Sequence, residues 1–161
     1  MEHGGIILQR AVGRKGLQDV ARSVGRLGGG RVDEIEQAVR DVESGGELAC
    51  SAAFAIADRL DVDPLDVGQA ADALAVRLVG CQLGLFGYGP KSEGAHRRVS
   101  AMTDVPPELK RAIEAALDSD GKLTCAKAWR IADDLEASRQ TVSNAAEGLG
   151  VRIKDCQLGA F

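Results

Sequence analysis

The stretch from Gly46 to Phe86 can be laid on Gly121 to Phe161 at a constant offset of 75, without a gap. Leu48/Leu123, Cys50/Cys125, Ile56/Ile131, Ala57/Ala132, Asp58/Asp133, Leu60/Leu135, Val67/Val142, Leu74/Leu149 and Val76/Val151 are kept in both copies. Each copy ends in CQLG-x-F, at Cys81 to Phe86 and at Cys156 to Phe161. An ungapped repeat of this length implies one structural unit used twice, so any fold proposed for one half must suit the other. Positions where the copies differ then become the guide to function.

The repeat divides the chain of 161 residues into two small units of roughly 55 residues each. Units that small bury a limited core, which predicts that they pack on each other or on a partner. The five aromatic residues are outnumbered by Ala, Val and Leu, a composition that favours helices. No apolar run approaches the roughly 20 residues needed to cross a bilayer, and MEHGGIILQRAVGRK is too short in apolar residues for a secretion signal. The expectation is a soluble cytoplasmic protein with reduced cysteines.

The net charge of −4 is unevenly spread. Before Val32, six basic residues (Arg10, Arg14, Lys15, Arg22, Arg26 and Arg31) face only Glu2 and Asp19. From Val32 to Gly89, Arg40, Arg59 and Arg77 face eleven acids. A chain that wraps nucleic acid along its whole length would not carry this pattern, so any such contact must be local.

Four segments follow: a basic arm (1–31), a first repeat (32–89), a linker (90–105) and a second repeat (106–161). In the arm, Leu17, Val20, Val24 and Leu27 have helical spacing, and Gly28-Gly29-Gly30 reads as a break. The arm suits a nucleic-acid or self-association contact, or a helix packed on its own protein. The linker lacks periodicity, and Pro107 suits the first turn of a following helix.

Each repeat reads as a helix (Ile35, Ala38, Val39 and Val42; Leu109, Ala112, Ile113, Ala116 and Leu117), a glycine turn and a short extended piece. Two more helices follow, and then an alternating tail, Val76-Arg77-Leu78 or Val151-Arg152-Ile153. The predicted fold class is mainly α with small β-ribbons.

The segment Ile131 to Asn144 resembles a helix-turn-helix. Ala132 stands where the two helices would cross, Val142 ten residues on is the β-branched core residue of the second, and ASRQTVSNAA looks like the turn and recognition helix of many bacterial repressors, including the lactose-repressor family. With the helix before it and the strand after it, each repeat resembles a winged helix-turn-helix. The resemblance covers both repeats and not the arm; Asp61 and Glu136 stand where the turn glycine is usual. It implies a transcriptional regulator that contacts double-stranded DNA.

Residue chemistry supports such a reader in the second repeat. Ser138 can cap the third helix. With Val142, Ala145, Ala146 and Leu149 on one face, Arg139, Gln140, Ser143 and Asn144 would point outward as base-edge donors and acceptors. Arg152 and Lys154 on the tail strand could meet phosphates. Glu147 and Asp155 oppose this with negative charge. The first repeat has Pro64, Asp66 and Gly68 in place of Arg139, Thr141 and Ser143, and adds Asp63 and Asp72, so its helix would repel phosphates. That repeat suits a structural role, or a protein-binding or self-association surface.

Each copy carries two cysteines 31 residues apart. If the extended piece and the tail strand pair, Cys50 would approach Cys81, and Cys125 would approach Cys156. Convergence of all four would allow zinc or an iron–sulfur cluster. Without a C-x-x-C or a neighbouring histidine the expectation is four core thiols and no cofactor. Gln82/Gln157 would satisfy backbone groups, Gly84/Gly159 would make the turn, and Phe86 and Phe161 would close the core. No catalytic constellation stands out: both histidines, His3 and His96, fall in segments without periodicity, and GRKG at 13–16 has no preceding strand. The reading is a non-enzyme. It is a tandem DNA-binding regulator reading through repeat 2, or a protein-interaction module on the same scaffold, or, third, a thiol-based metal or redox sensor.

Overall fold

A computed structural model describes residues 29–161. The basic arm, with its expected helix around Leu17 to Leu27, lies outside the described residues apart from its last three positions. There Gly29 and Gly30 open a helix rather than form a break. Six helices and four short strands follow in two groups: α1 (Gly29–Val42), β1 (Glu47–Ala49), α2 (Cys50–Leu60), α3 (Pro64–Ala73) and β2 (Arg77–Val79); then α4 (Pro107–Ala116), β3 (Leu123–Thr124), α5 (Cys125–Asp134), α6 (Arg139–Gly148) and β4 (Ile153–Lys154). A short 3₁₀ turn, Lys91–Glu93, lies between the groups. The described chain is mainly helical, as the composition predicts.

Local chemistry accounts for the helix starts. Asp63 accepts the Leu65 N–H at 3.0 Å while Pro64 occupies the first turn of α3. Thr124 caps α5 through the Lys127 N–H, and Ser138 caps α6 through the Thr141 N–H at 3.0 Å. Between the helices of each pair, Asp61 and Glu136 take the left-handed conformation, both with φ of 51°. These are the positions where glycine is usual, and the backbone there adopts the glycine geometry without the glycine. Positive φ recurs at the same offset in Gly46 and Gly121, Ala75 and Gly150, Gly80 and Asp155, and Gly84 and Gly159.

The ribbons differ from a wing. β1 pairs with β2, and β3 with β4, in both cases parallel. Two helices intervene between the strands of each pair, and a crossover of that kind brings strands together parallel, whereas a wing is an antiparallel hairpin closed by a tight turn. After each pair the chain makes the CQLG turn instead of returning as a strand. Cys81 O accepts from Gly84 N at 2.8 Å, and Cys156 O from Gly159 N at 2.9 Å.

Those two turns are exchanged between the groups. Cys81 and Leu83, which follow β2, are buried in the second core with Leu109, Ile113, Leu123, Cys125 and Val142. Leu158, which follows β4, is buried in the first core with Ile35, Val39, Leu48, Ile56 and Val67, and Cys156 packs against it. Trp129 packs against both cores and meets Phe54 with ring centroids 4.3 Å apart. Phe86 and Phe161 meet edge to face at 5.9 Å. Phe54/Trp129 and Phe86/Phe161 are each separated by 75 residues, so equivalent positions face one another at the seam. Phe161 stays 49 % exposed and does not close a core.

Candidate functional site

The helix expected to read DNA is α6, and its outer face is covered. Ser143, expected outward, is 1 % exposed and donates its hydroxyl to the Leu83 carbonyl. Arg139 lies over the Trp129 ring at 3.3 Å and donates to the side-chain oxygen of Gln82. The Gln140 amide donates to Arg98 O at 2.8 Å. Asn144 accepts the Ser100 N–H on its side-chain oxygen at 2.9 Å, and the Met102 N–H on its main-chain oxygen at 3.0 Å. Arg139, Gln140, Ser143 and Asn144 are therefore not outward groups: one side of α6 faces its own core, and the other faces the CQLG turn of the first unit and residues 98–102.

The linker is a strap rather than a free connection. Arg98 N donates to Gly84 O at 2.8 Å, Arg97 pairs with Glu147 at 3.1 Å, and the Arg98 guanidinium lies over Tyr88 at 4.2 Å. A side chain at Gly148 would overlap the Met102 carbonyl oxygen, so the strap touches the helix backbone itself.

On the tail strand, Lys154 does not project as a phosphate contact. It is held between Asp118 at 3.0 Å and Asp120 at 3.1 Å. Hydrogen bonds from Lys127 and Lys154 hold the Asp118 carboxyl below its ordinary range, and those from Lys154 and Lys122 bring Asp120 to about 2; the same carboxylates raise the Lys154 ammonium. Of the seven residues expected to meet DNA, only Ser138 and Arg152 are exposed, and the Ser138 hydroxyl serves as the helix cap. Arg152 lines a cleft of about 600 Å³ with Phe86, Lys91, His96, Arg97, Glu147 and Phe161. The charge of Arg97 there is matched by Glu147, and His96 Nδ1 is buried without a hydrogen-bond partner.

α3 is covered in the same way by the other turn, with different chemistry. A Cβ at Gly68 would overlap the Leu158 carbonyl oxygen and stand 2.8 Å from its carbon. The glycine lets a backbone carbonyl rest on the helix where, 75 residues on, Ser143 supplies a hydroxyl. Two signals in the sequence carried this covering: the CQLG-x-F kept at both tails, and the small residue kept at 68 and 143.

The exchange also gathers the cysteines, all free thiols. Cys81 is buried with Cys125 in the second core, and Cys156 packs against the first core, to which Cys50 belongs. Each tail cysteine joins the core of the other group, while the glutamine that follows it reaches back to the thiol of its own group. Burial pushes Cys50 up to about 11 and raises Cys81 and Cys125, with amide donors pulling the other way. The expected use of Gln82 and Gln157 for backbone groups is replaced by contacts to sulfur: their amides point at Cys50 Sγ from 3.8 Å and at Cys125 Sγ from 3.5 Å. Among the described residues no three His, Cys, Asp or Glu are disposed to hold a single metal ion, and no helix is long and apolar enough to cross a membrane. Comparison of the chain with protein-family models, with curated proteins and with solved structures returns no match.

Proposed function

We propose that the chain is a protein-interaction module built from two duplicated helix-turn-helix-type units, rather than a reader of DNA bases. The observation that carries this reading is the covering of α6: Arg139, Gln140, Ser143 and Asn144 are all bound to the first unit's tail, to the strap or to Trp129. A base contact is worth about 1 to 3 kcal/mol, and each one here would first have to break an internal contact of similar size. Among the described residues, the exposed face around α2 and α3 is largely acidic, with Arg59 the basic residue beside it. Asp58, Asp61, Asp63 and Asp72 are exposed around α2 and α3, with Leu65 42 % exposed among them. Such a surface suits a basic protein partner and repels phosphate.

DNA binding through the second unit is the competing reading, and it requires the first tail and the strap to leave α6. Fluorescence anisotropy of the full chain against random-sequence duplex at low salt separates the two. The interaction reading expects no saturable binding. Saturable binding that is lost in both Arg139→Ala and Asn144→Ala would return the regulator reading to first place.

A further inference from the structure

The two halves carry equivalent clefts, and the clefts differ in charge. One, of about 760 Å³, has Asp72, Arg77, Leu78 and Phe86 in its lining. The other, of about 600 Å³, has Glu147, Arg152, Ile153 and Phe161, each 75 residues further on. Lys91 and His96 of the strap line both. In the first cleft Arg77 pairs with Glu47, its partner across β1 and β2, and among the described residues Asp72 meets no cation. In the second, the position equivalent to Glu47 is Lys122, which pairs with Asp120 at 3.2 Å instead. Arg152 is thereby left without a carboxylate, and Glu147, the acid of this cleft, is taken by Arg97 at 3.1 Å. Among the described residues neither Arg152 nor Lys91 forms an ion pair. The same architecture leaves an acid over in one half and an arginine in the other.

The second cleft has further features that suit a ligand. His96 Nδ1 is buried with no hydrogen-bond partner among the described residues, which is rare for a buried polar atom. Phe86 and Phe161 meet edge to face at 5.9 Å on its wall, and Phe161 is 49 % exposed, so the aromatic pair has surface open to a third flat group. The main-chain oxygen of Phe161 accepts the Cys156 N–H at 3.3 Å. A cleft of about 600 Å³ with apolar walls and a few polar groups has the size and character of a small-molecule site. We propose that it binds a small organic anion with a flat apolar body. The carboxylate or phosphate of that anion lies on Arg152 and Lys91, its ring against Phe86 and Phe161, and a polar atom at His96. Arg152 offers a planar fork of donors that matches either head group. The other cleft is unsuited, because Asp72 repels an anion there and Arg77 is already matched by Glu47. No lining residue of the second cleft comes from α2 or α3, so the site is independent of the interaction reading.

The test is an amide-resolved nuclear magnetic resonance titration of the isotope-labelled full chain. The probes are cinnamate, phenyl phosphate, cinnamyl alcohol as the neutral counterpart, and inorganic phosphate as the head group alone. Expected are saturable shifts at Phe86, His96, Val151 and Phe161 with cinnamate or phenyl phosphate, the tighter of the two identifying the head group. The alcohol and inorganic phosphate should each bind about 10-fold more weakly or worse. Arg152→Gln should weaken the preferred anion about 10-fold or more, whereas Arg77→Gln should change it by less than about twofold; the amide spectrum of each variant shows whether it is folded. Absence of saturable shifts with both aromatic anions overturns the proposal. So does binding of the alcohol or of inorganic phosphate as tight as that of the aromatic anions, or an equal loss in Arg77→Gln and Arg152→Gln.

Discussion

The seating of the second unit's tail on α3 can be tested at one carbon atom. In Gly68→Ala the new Cβ would overlap the Leu158 carbonyl oxygen and stand 2.8 Å from its carbon and 3.2 Å from its Cα. Both partners are backbone or lie next to it, so no flexible side chain can swing away. Left to itself the helix would gain from the change, alanine being favoured over glycine in a helix interior by about 1 kcal/mol. Against that stands overpacking of a filled core, about 1 to 3 kcal/mol. If Leu158 is pushed out, its burial is lost as well, and full burial of a leucine is worth about 1.5 to 3 kcal/mol; Leu158 is now 1 % exposed. The net expectation is a destabilisation of about 2 to 4 kcal/mol. Urea denaturation followed by far-ultraviolet circular dichroism measures it. Gly30→Ala is the control: it is also helical, with nothing within 4 Å of the new carbon, and should be neutral or stabilising by up to about 1 kcal/mol. If Gly68→Ala behaves like Gly30→Ala, the tail is not on α3, and the exchange between units is wrong.

Three further outcomes follow from the same structure. Ala75 holds a φ of 54° where its equivalent is Gly150, so Ala75→Gly should raise stability by about 0.5 to 1 kcal/mol; a loss measured by urea denaturation would contradict the strain. Leu83 follows β2 but lies in the second core, at 0 % exposure, so Leu83→Ala should cost about 2 to 5 kcal/mol. Its amide-exchange protection should fall in α4 to α6 more than in α1 to α3; the opposite pattern would show that the tail serves its own unit. The fold keeps Cys50 neutral with a pKa raised from its usual value to about 11, and Cys81 and Cys125 are raised too. The stabilisation this gives is complete below the unfolded thiol pKa of about 8.5 and is lost as pH climbs through the folded value. The protein should therefore weaken steeply between those limits, and Cys50→Ala should flatten the decline; an unchanged slope would contradict a buried Cys50.

Much of each unit was legible along the chain. The apolar spacing of Val142, Ala145 and Ala146 marked the buried face of α6, all three being at most 1 % exposed, and Ser138 was readable as the cap because its hydroxyl precedes a helical period. Asp61 and Glu136 were legible only as missing glycines; that both backbones take the glycine conformation needed the three-dimensional turn. The exchange of tails was not readable, for a specific reason. In a chain whose halves match at a fixed offset, Leu83 has the same pattern of neighbours whether it fills the pocket by Val67 or the one by Val142. Sequence periodicity identifies which residues want burial, and a repeat leaves open which copy buries them. Arg139, Gln140, Ser143 and Asn144 were assigned outward because helical spacing gives the face turned from the core and carries no record of a cover arriving from 42 to 60 residues away.

The covering also accounts for the difference in composition between the third helices of the two halves, whose cores are alike. α3 meets its tail through close contact: Gly68 admits the Leu158 carbonyl, the Leu65 side chain lies against the backbone at Gly159, and Pro64 offers no donor. α6 meets its tail and the strap through polar ties: Arg139 to Gln82, Ser143 to Leu83, Gln140 to Arg98, and Asn144 to Ser100 and Met102. Among the described residues only α6 has a strap across it, and a strap exposes carbonyls and amides that must be matched when covered. Gln140 and Asn144 supply those matches, and Arg97 pairs with Glu147 beside them. The polar SRQTVSN segment, which on sequence alone pointed to the groove of DNA, is the composition a helix needs to lie beneath a tail and a strap.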